Sequence, residues 1–520
     1  MSGLTRVVVL GGGYSGTAAA KVLDRGLWWR NDIELILIDD HEDFVHKIGG
    51  LRASVEDDWQ EKVVIPRDRL LRYGQVKVGS IQEVTNSEVT LTSGEIIPFD
   101  YCILATGSRN HSPGEPPAGV TSTEDIIKFY QDNMAAVQKA ENITIVGGGV
   151  VGVELAGEIK SHYPSKEVTL LHSGESLIDA VSPALPTQFT SSLHNQLASM
   201  GVKILTKTSV ELDQSEISDK PMLSGTRTLK TSSGEDINTD LVISCMGATP
   251  NTGSFPREWL TSCNLVKVDD KLRVVDADGK VQSNIFAVGD ITDIAENKLA
   301  FSGARQGMVA AKNVMSEIRG FSWLKSYTPR PDRSMMIVPL GPNQGESLLP
   351  RGVAGPIVTS RLKGNNLLVG PAWRIHNSGS GWGFGRGMQL CRDTGFGWGR
   401  NFGWGRNFSW GSGYGHEMCF DGYMSPRNGR QFANGDGSEK GMGSARGMRF
   451  GNGKEFGGDR GFYRSLDNSW ARGSPRWGSY YDRYNCRAGS RVKPLLFFMG
   501  GAAVTYLLVK PSKPSNSDSA

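Results

Sequence analysis

Paired cysteines are missing from this 520-residue chain. Its six cysteines, at 102, 245, 263, 391, 419 and 486, never form C-x-x-C. That excludes a local dithiol motif and fits unpaired thiols in a reducing compartment. No His/Cys spacing suits a metal, so no metal site is expected. Met1-Ser2-Gly3-Leu4-Thr5 runs almost straight into an apolar strand, so no cleaved signal or transit peptide is expected. Gly3 stands one position too late for the N-myristoylation pattern. The uncharged apolar run near the end, Pro494–Val509, has sixteen residues, short of the roughly 20 that usually span a bilayer. Charge is nearly balanced at +3, which marks no strongly basic or acidic class over the whole chain.

What is present begins at Val7-Val8-Val9-Leu10-Gly11-Gly12-Gly13-Tyr14-Ser15-Gly16. Four apolar residues lead into G-x-G-x-x-G at Gly11, Gly13 and Gly16, and a helical run follows from Thr17 to Leu23. The first glycine permits a tight turn, the second admits a pyrophosphate, and the third lets helix and strand pack closely. The helix N-terminus adds free N–H groups and a positive dipole end. A second strand, Glu34 to Ile38, ends in Asp39, 23 residues after Gly16, an acid placed to accept hydrogen bonds from an adenosine ribose. The same sequence of strand, glycine turn and helix returns at Ile143 to Gly152, with Gly147, Gly149 and Gly152. Two such turns 136 residues apart predict two bound dinucleotides, FAD held tightly and NAD(P)H exchanging. The strand after the second helix ends in His172 rather than an acid. NADH and NADPH therefore both stay open.

The fold class is α/β, with two Rossmann-like domains. An FAD-binding part occupies 1–118 and resumes at 253–325, an NAD(P)-binding domain occupies 119–252, and a small C-terminal subdomain occupies 326–376. Strands are expected at 76–78 and 88–91. Ala105-Thr106-Gly107-Ser108 closes the first nucleotide-binding half, and Leu241 to Asn251 returns the chain to the FAD part. In Asn284 to Asp293, Gly289 and Asp290 follow an apolar strand, an arrangement in which the aspartate holds the ribityl chain of FAD. The helix beyond, Ala304 to Val314, aims its N-terminus at the flavin's pyrimidine edge. Glu154, one turn into the second glycine-turn helix, either holds the nicotinamide carboxamide or complements the helix dipole. Residues 41–60, where the chain passes the flavin, hold no cysteine, so electrons are expected to move directly between flavin and acceptor. His46 there is either a proton donor or a hydrogen-bonded loop histidine.

The two fingerprints, A-T-G-S, L-R-A-S-V-E at 51–56, G-V-E-L-A-G-E-I-K at 152–160 and F-A-V-G-D-I-T-D at 286–293 together resemble the apoptosis-inducing-factor-like flavoproteins, which include the ferroptosis-suppressor quinone reductases. The resemblance covers about residues 5–375. It implies FAD, an NAD(P)H donor and a quinone acceptor of ubiquinone or vitamin-K type, reduced to a hydroquinone that traps lipid radicals. By that resemblance Arg52 joins Gly11, Gly13, Gly16, Asp39, Ala105, Thr106, Gly107, Gly147, Gly149, Gly152, His172, Gly289 and Asp290 as a cofactor residue. Lys363, in Lys363-Gly364-Asn365-Asn366-Leu367-Leu368-Val369, matches a lysine tied to quinone chemistry and joins Glu154 as a candidate catalytic residue. A monodehydroascorbate-type reductase or general diaphorase would use the same fingerprints. So would a redox sensor that contacts nucleic acid.

Residues 377–490 carry sixteen Lys/Arg against nine Asp/Glu, with a Gly-, Arg- and Trp-rich repeat at 395–408. They read as a disordered extension. It serves as a spacer, as non-genuine coding sequence, or as a surface for nucleic acid or an anionic membrane. Pro494–Val509, flanked by Arg491, Lys493, Lys510 and Lys513, is expected to form a helix of about 24 Å. It would serve as a tail anchor in a mitochondrial outer or peroxisomal membrane, the enzyme facing the cytosol, with snorkelling lysines making up the shortfall in length; the alternative is a buried or monotopic hairpin-like segment around Gly500-Gly501. The oligomeric state is left open.

Overall fold

The computed structural model describes residues 4–27, 30–181, 184–213, 217, 220–329, 335–377, 495–499 and 502–506. The chain divides into two compact units, and the architecture below, apart from the end of the chain, is that of the first, Met1–Gly403 with Phe498–Ala502.

Its first layer is a six-stranded sheet in the order Arg273–Val275, Val281–Ala287, Tyr101–Leu104, β1 (Thr5–Leu10), β2 (Ile33–Asp39), Gln75–Val78. The five strands from Val281–Ala287 onward are parallel, and Arg273–Val275 closes the edge antiparallel. The unbroken run Val7-Val8-Val9-Leu10 follows from this position, because a central parallel strand is covered on both faces. Val7 and Val9 belong to one core with Leu35, Leu37 and Ile103. Val8 and Leu10 belong to the other with Ile36, Ile38 and Leu104. All four β1 side chains are fully buried, and each such burial contributes roughly 1.5–3 kcal/mol.

The second sheet runs Val202–Leu205, Glu167–Leu171, Asn142–Val146, Asp236–Ser244, Met222–Lys230. Its first four strands are parallel and the last is antiparallel. Two crossovers link the sheets, and Ser108–Asn110 pairs with Ala248–Pro250 across them. A three-stranded sheet from Met336 to Ala354 and a helix at Val369–His376 complete the unit. The strand expected at 76–78 is present as Gln75–Val78, that at 88–91 as Glu88–Leu91, and the helix expected at 304–314 extends over Ala300–Ile318.

Helix α1 (Tyr14–Gly26) lies close against α4 (Ala300–Ile318). Small residues permit this: a Cβ on Gly307 would sit 2.2 Å from the Ser15 carbonyl oxygen. Helix α2 (Lys47–Ala53) packs on α3 (Val150–His162) through a buried ion pair. Arg52 Nε and Nη2 donate to Glu158 at 2.9 and 2.8 Å, both side chains almost wholly buried.

The end of the chain departs from expectation. Leu495–Met499 and Ala502–Tyr506 form a two-stranded sheet, not one helix. Gly500-Gly501 interrupts the run, and each glycine costs a helix about 1 kcal/mol relative to alanine. The five-residue apolar stretches on either side are of strand length. Among the described residues no helix is long and apolar enough to cross a membrane, and the helix expected over 494–509 is corrected to a strand pair. Past Asn377, the Gly/Arg-rich stretch and the nucleic-acid partner expected of it lie outside the described residues.

Replacing Arg52 by Met strands the buried Glu158 carboxylate. Stability is expected to fall by about 3–5 kcal/mol, and the Arg52→Met/Glu158→Met double variant should recover most of it. Denaturant unfolding of the three proteins checks this. Equal stability of wild type and Arg52→Met would contradict the pair's structural role.

Candidate functional site

Strand register brings the predicted residues to one edge. Gly11 N–H donates to the Ile38 carbonyl at 2.7 Å, and Ala105 N–H to that of Leu10 at 2.7 Å. Val288 N–H bonds the Leu104 carbonyl at 2.9 Å. The first glycine turn, Asp39, Ala105 and Gly289 therefore cluster at the carboxyl end of the six-stranded sheet, where open α/β sheets bind ligands. The second sheet repeats the pattern, with Gly147 N–H on the Leu171 carbonyl at 2.9 Å and Cys245 N–H on that of Val146 at 2.8 Å.

Each glycine turn separates packing from ligand space. A Cβ on Gly11 would meet the Ala105 carbonyl oxygen at 2.4 Å, and one on Gly16 the Gly11 oxygen at 1.8 Å. Gly147 and Gly152 are confined alike, by Cys245 O at 2.4 Å and Gly147 O at 1.9 Å. The middle glycines differ: nothing lies within 4 Å of a Cβ on Gly13 or Gly149. Each middle glycine is the N-cap of a helix without a side-chain cap, so the first-turn N–H groups of α1 and α3 border open space. That combination fits the pyrophosphate of a dinucleotide at both turns.

At the first turn Asp39 accepts from Gly12 N–H. Its other oxygen lies 3.0 Å from Arg67 Nη1. Burial opposes its charge, but Arg67 and His41 hold the carboxyl far below the usual range. Burial also opposes charge on His41, yet Asp39 and Asp40 outweigh it and push its pKa up to about 9. Arg67 gave no signal in the sequence, since a loop carries it in from 28 residues beyond Asp39. It explains the extra glycine: a Cβ on Gly12 would lie 2.9 Å from the guanidinium carbon.

Asp290 accepts from Ser108 Oγ–H at 2.8 Å. Beside it Gly289, at φ +81°, abuts Ser15 of the first turn, and its N–H donates to Gln306 Oε1 at 2.6 Å. Gln306 in turn donates to Glu296 at 2.6 Å, anchoring α4 behind the motif. Thr106 Oγ1 donates to the Asn251 carbonyl at 2.7 Å, and Gly107, at φ +69°, accepts Asn251 N–H. These two residues pin the crossovers together. Arg52, expected among the cofactor residues, makes hydrogen bonds that are structural, to Glu158 and the Asn365 carbonyl.

Two candidates far apart in sequence meet. Lys363 Nζ lies 2.6 Å from Glu154 Oε1 and 3.3 Å from the Ile337 carbonyl. Lys363 stands in a single π-helical turn, Ser360–Gly364, a local widening often found at functional positions. Burial pushes the Glu154 carboxyl up, against the pull of Lys363. His46 Nε2–H donates to the Leu367 carbonyl at 2.8 Å, and Nδ1 faces the Tyr14 hydroxyl at 3.2 Å. Burial pushes its pKa down to about 4, so it is a neutral, hydrogen-bonded loop histidine. His172 Nδ1 accepts Gly148 N–H at 3.3 Å.

The model of the pyridine nucleotide-disulphide oxidoreductase family matches residues 5–315. The chain belongs to that family. Apoptosis-inducing factor homolog A of Dictyostelium discoideum is 30% identical over 383 residues, 70% of this chain and 90% of the relative. Ferroptosis suppressor protein 1 of Homo sapiens is 31% identical over 380 residues, 72% of this chain and 96% of the relative. Among solved structures, the sulfide:quinone oxidoreductase of Aquifex aeolicus shares the fold, with a TM-score of 0.53 at 17% identity, covering 72% of this chain and 92% of that one. The chain is an FAD- and NAD(P)H-dependent oxidoreductase of the apoptosis-inducing-factor and ferroptosis-suppressor type.

Gly13 and Gly149 have φ near −70°, which any residue adopts, so valine there fills ligand space without backbone strain. Gly149→Val should keep its FAD and lose NAD+ affinity by tenfold or more, about 1.4 kcal/mol. Gly13→Val should purify without flavin. Flavin absorbance and NAD+ calorimetry check both, and wild-type retention of both ligands in both variants would refute the assignment of the turns.

Proposed function

We propose that this oxidoreductase passes two electrons from NAD(P)H through FAD to a quinone of ubiquinone or vitamin-K type, releasing an antioxidant hydroquinone. FAD, when bound, supplies the step between a hydride donor and a two-electron acceptor. The chain's residues supply orientation, charge and protons.

Gly13 and Asp39 receive the flavin's pyrophosphate and adenosine, and Asp290 its ribityl chain. Gly149 and the α3 N-terminus receive the second dinucleotide. Glu154, one turn further along α3, holds the nicotinamide carboxamide. Among the described residues no cysteine lies in 41–60. Cys102 and Cys245 are buried, and burial alone raises both thiols, Cys245 to about 12. Neither thiol suits a thiolate relay.

The observation that carries the quinone reading is the Lys363–Glu154 ion pair beside the second glycine turn. An acceptor oxygen that gains electrons needs a nearby positive charge and a proton, and an ammonium provides both. Glu154 holds that ammonium in place.

Sequential anaerobic mixing tests this. After reduction, wild-type flavin absorbance at about 450 nm should recover on addition of a short-chain ubiquinone. In Lys363→Gln, which keeps a neutral donor, recovery should slow by about 10²-fold, as for loss of one charge-stabilising donor. Recovery with ferricyanide, which needs no proton, should stay at the wild-type rate. Absence of quinone-driven recovery in wild type would overturn the quinone reading, and an unslowed Lys363→Gln would overturn the lysine's role.

A further inference from the structure

The two glycine turns present different groups to their adenosine ends, and the difference selects between the two nicotinamide coenzymes. At the first turn the carboxylate of Asp39 bonds Gly12 N–H directly. At the second, the equivalent Gly148 N–H donates to His172 Nδ1 at 3.3 Å. With Nδ1 accepting, Nε2 carries the hydrogen. It lies 3.0 Å from Asp179 Oδ1 and donates to it. The carboxylate is therefore present at the second turn, one imidazole ring further out.

Backbone geometry holds it there. Ile178 has φ +59° and is buried, a left-handed conformation that β-branched residues rarely adopt. Its N–H donates to the Gly148 carbonyl at 2.9 Å. This bond folds the loop after His172 back onto the glycine turn. Gly174 lies so close that a Cβ on it would sit 1.8 Å from Asp179 Oδ2. A strained residue held by a bond to the nucleotide turn is the kind of position at which strain accompanies function. Gly148 itself is required by the arrangement, because a Cβ there would meet His172 Cγ at 2.8 Å. The Asp179 side chain remains one-third exposed, open to a ligand.

An acid at the usual position accepts the ribose hydroxyls. A carboxylate displaced outward from that position would stand toward the 2′-phosphate of a bound NADPH. The nearby cation of this loop pair, Lys207, is engaged by Glu175 at 2.9 Å. We propose that Asp179, positioned by His172, is the coenzyme-selecting residue: it accepts a hydrogen bond from the adenosine ribose of NADH and repels the 2′-phosphate of NADPH. The inference rests on the second glycine turn being the nicotinamide dinucleotide site.

Calorimetric titration of the FAD-loaded full-length protein with NAD+ and with NADP+ tests it. Wild type should bind NAD+ at least tenfold more tightly. Asp179→Asn and Asp179→Ser, with flavin content and thermal midpoint checked, should each raise NADP+ affinity about tenfold and narrow the ratio. Glu167→Gln, which removes an exposed acid from the far end of the strand leading to His172, should leave the ratio unchanged. Equal wild-type affinities, an unchanged ratio in both Asp179 variants, or an equal shift in Glu167→Gln would overturn the proposal. Binding of neither dinucleotide would instead overturn the second-turn reading beneath it.

Discussion

Helix α3 buries two carboxylates one turn apart, Glu154 and Glu158, and the rest of the site depends on how they are neutralised. Like charges at this spacing repel, and an unpaired buried charge costs several kcal/mol. Two cations from elsewhere meet them. Arg52 arrives from α2, and Lys363 arrives from the C-terminal subdomain. The helix of the second glycine turn is thereby tied to both pieces of chain that flank it. Arg52 also donates to the Asn365 carbonyl, two residues past Lys363, so the two pairs share one support. A carboxamide at Glu154 would sit within this scaffold, with its distance from the first turn set by packing.

The duplicated turn carries the second part of the account. Both copies crowd their outer glycines against backbone and leave the middle one open. The copies part company beside the second glycine of each turn: Arg67 requires Gly12, and His172 requires Gly148. The first copy thus places a guanidinium against its acid, suited to a tightly held adenosine. The second interposes an imidazole before its acid, suited to a ligand that exchanges.

Local spacing made the turns, the strands leading into them, Asp39 and the Gly289-Asp290 motif legible, because each is set within about 30 residues of chain. Partners brought together by the tertiary fold were not. Glu158 meets Arg52 across 106 residues and Glu154 meets Lys363 across 209, and no periodicity encodes such pairs. Arg67 and Asp179 reach their turns from loops, whose path no propensity dictates. At 494–509 two local signals compete: apolar length favours one helix, while Gly500-Gly501 divides the run into strand-length halves, and the structure takes the divided form.

Anaerobic stopped-flow mixing of the purified, flavin-loaded protein with NADH, followed at about 450 nm, tests most directly that the two turns work as one site. The account predicts rapid saturable bleaching, because a nicotinamide held from the second turn would lie against a flavin held from the first. Flavin that stays yellow while NADH demonstrably binds would contradict it.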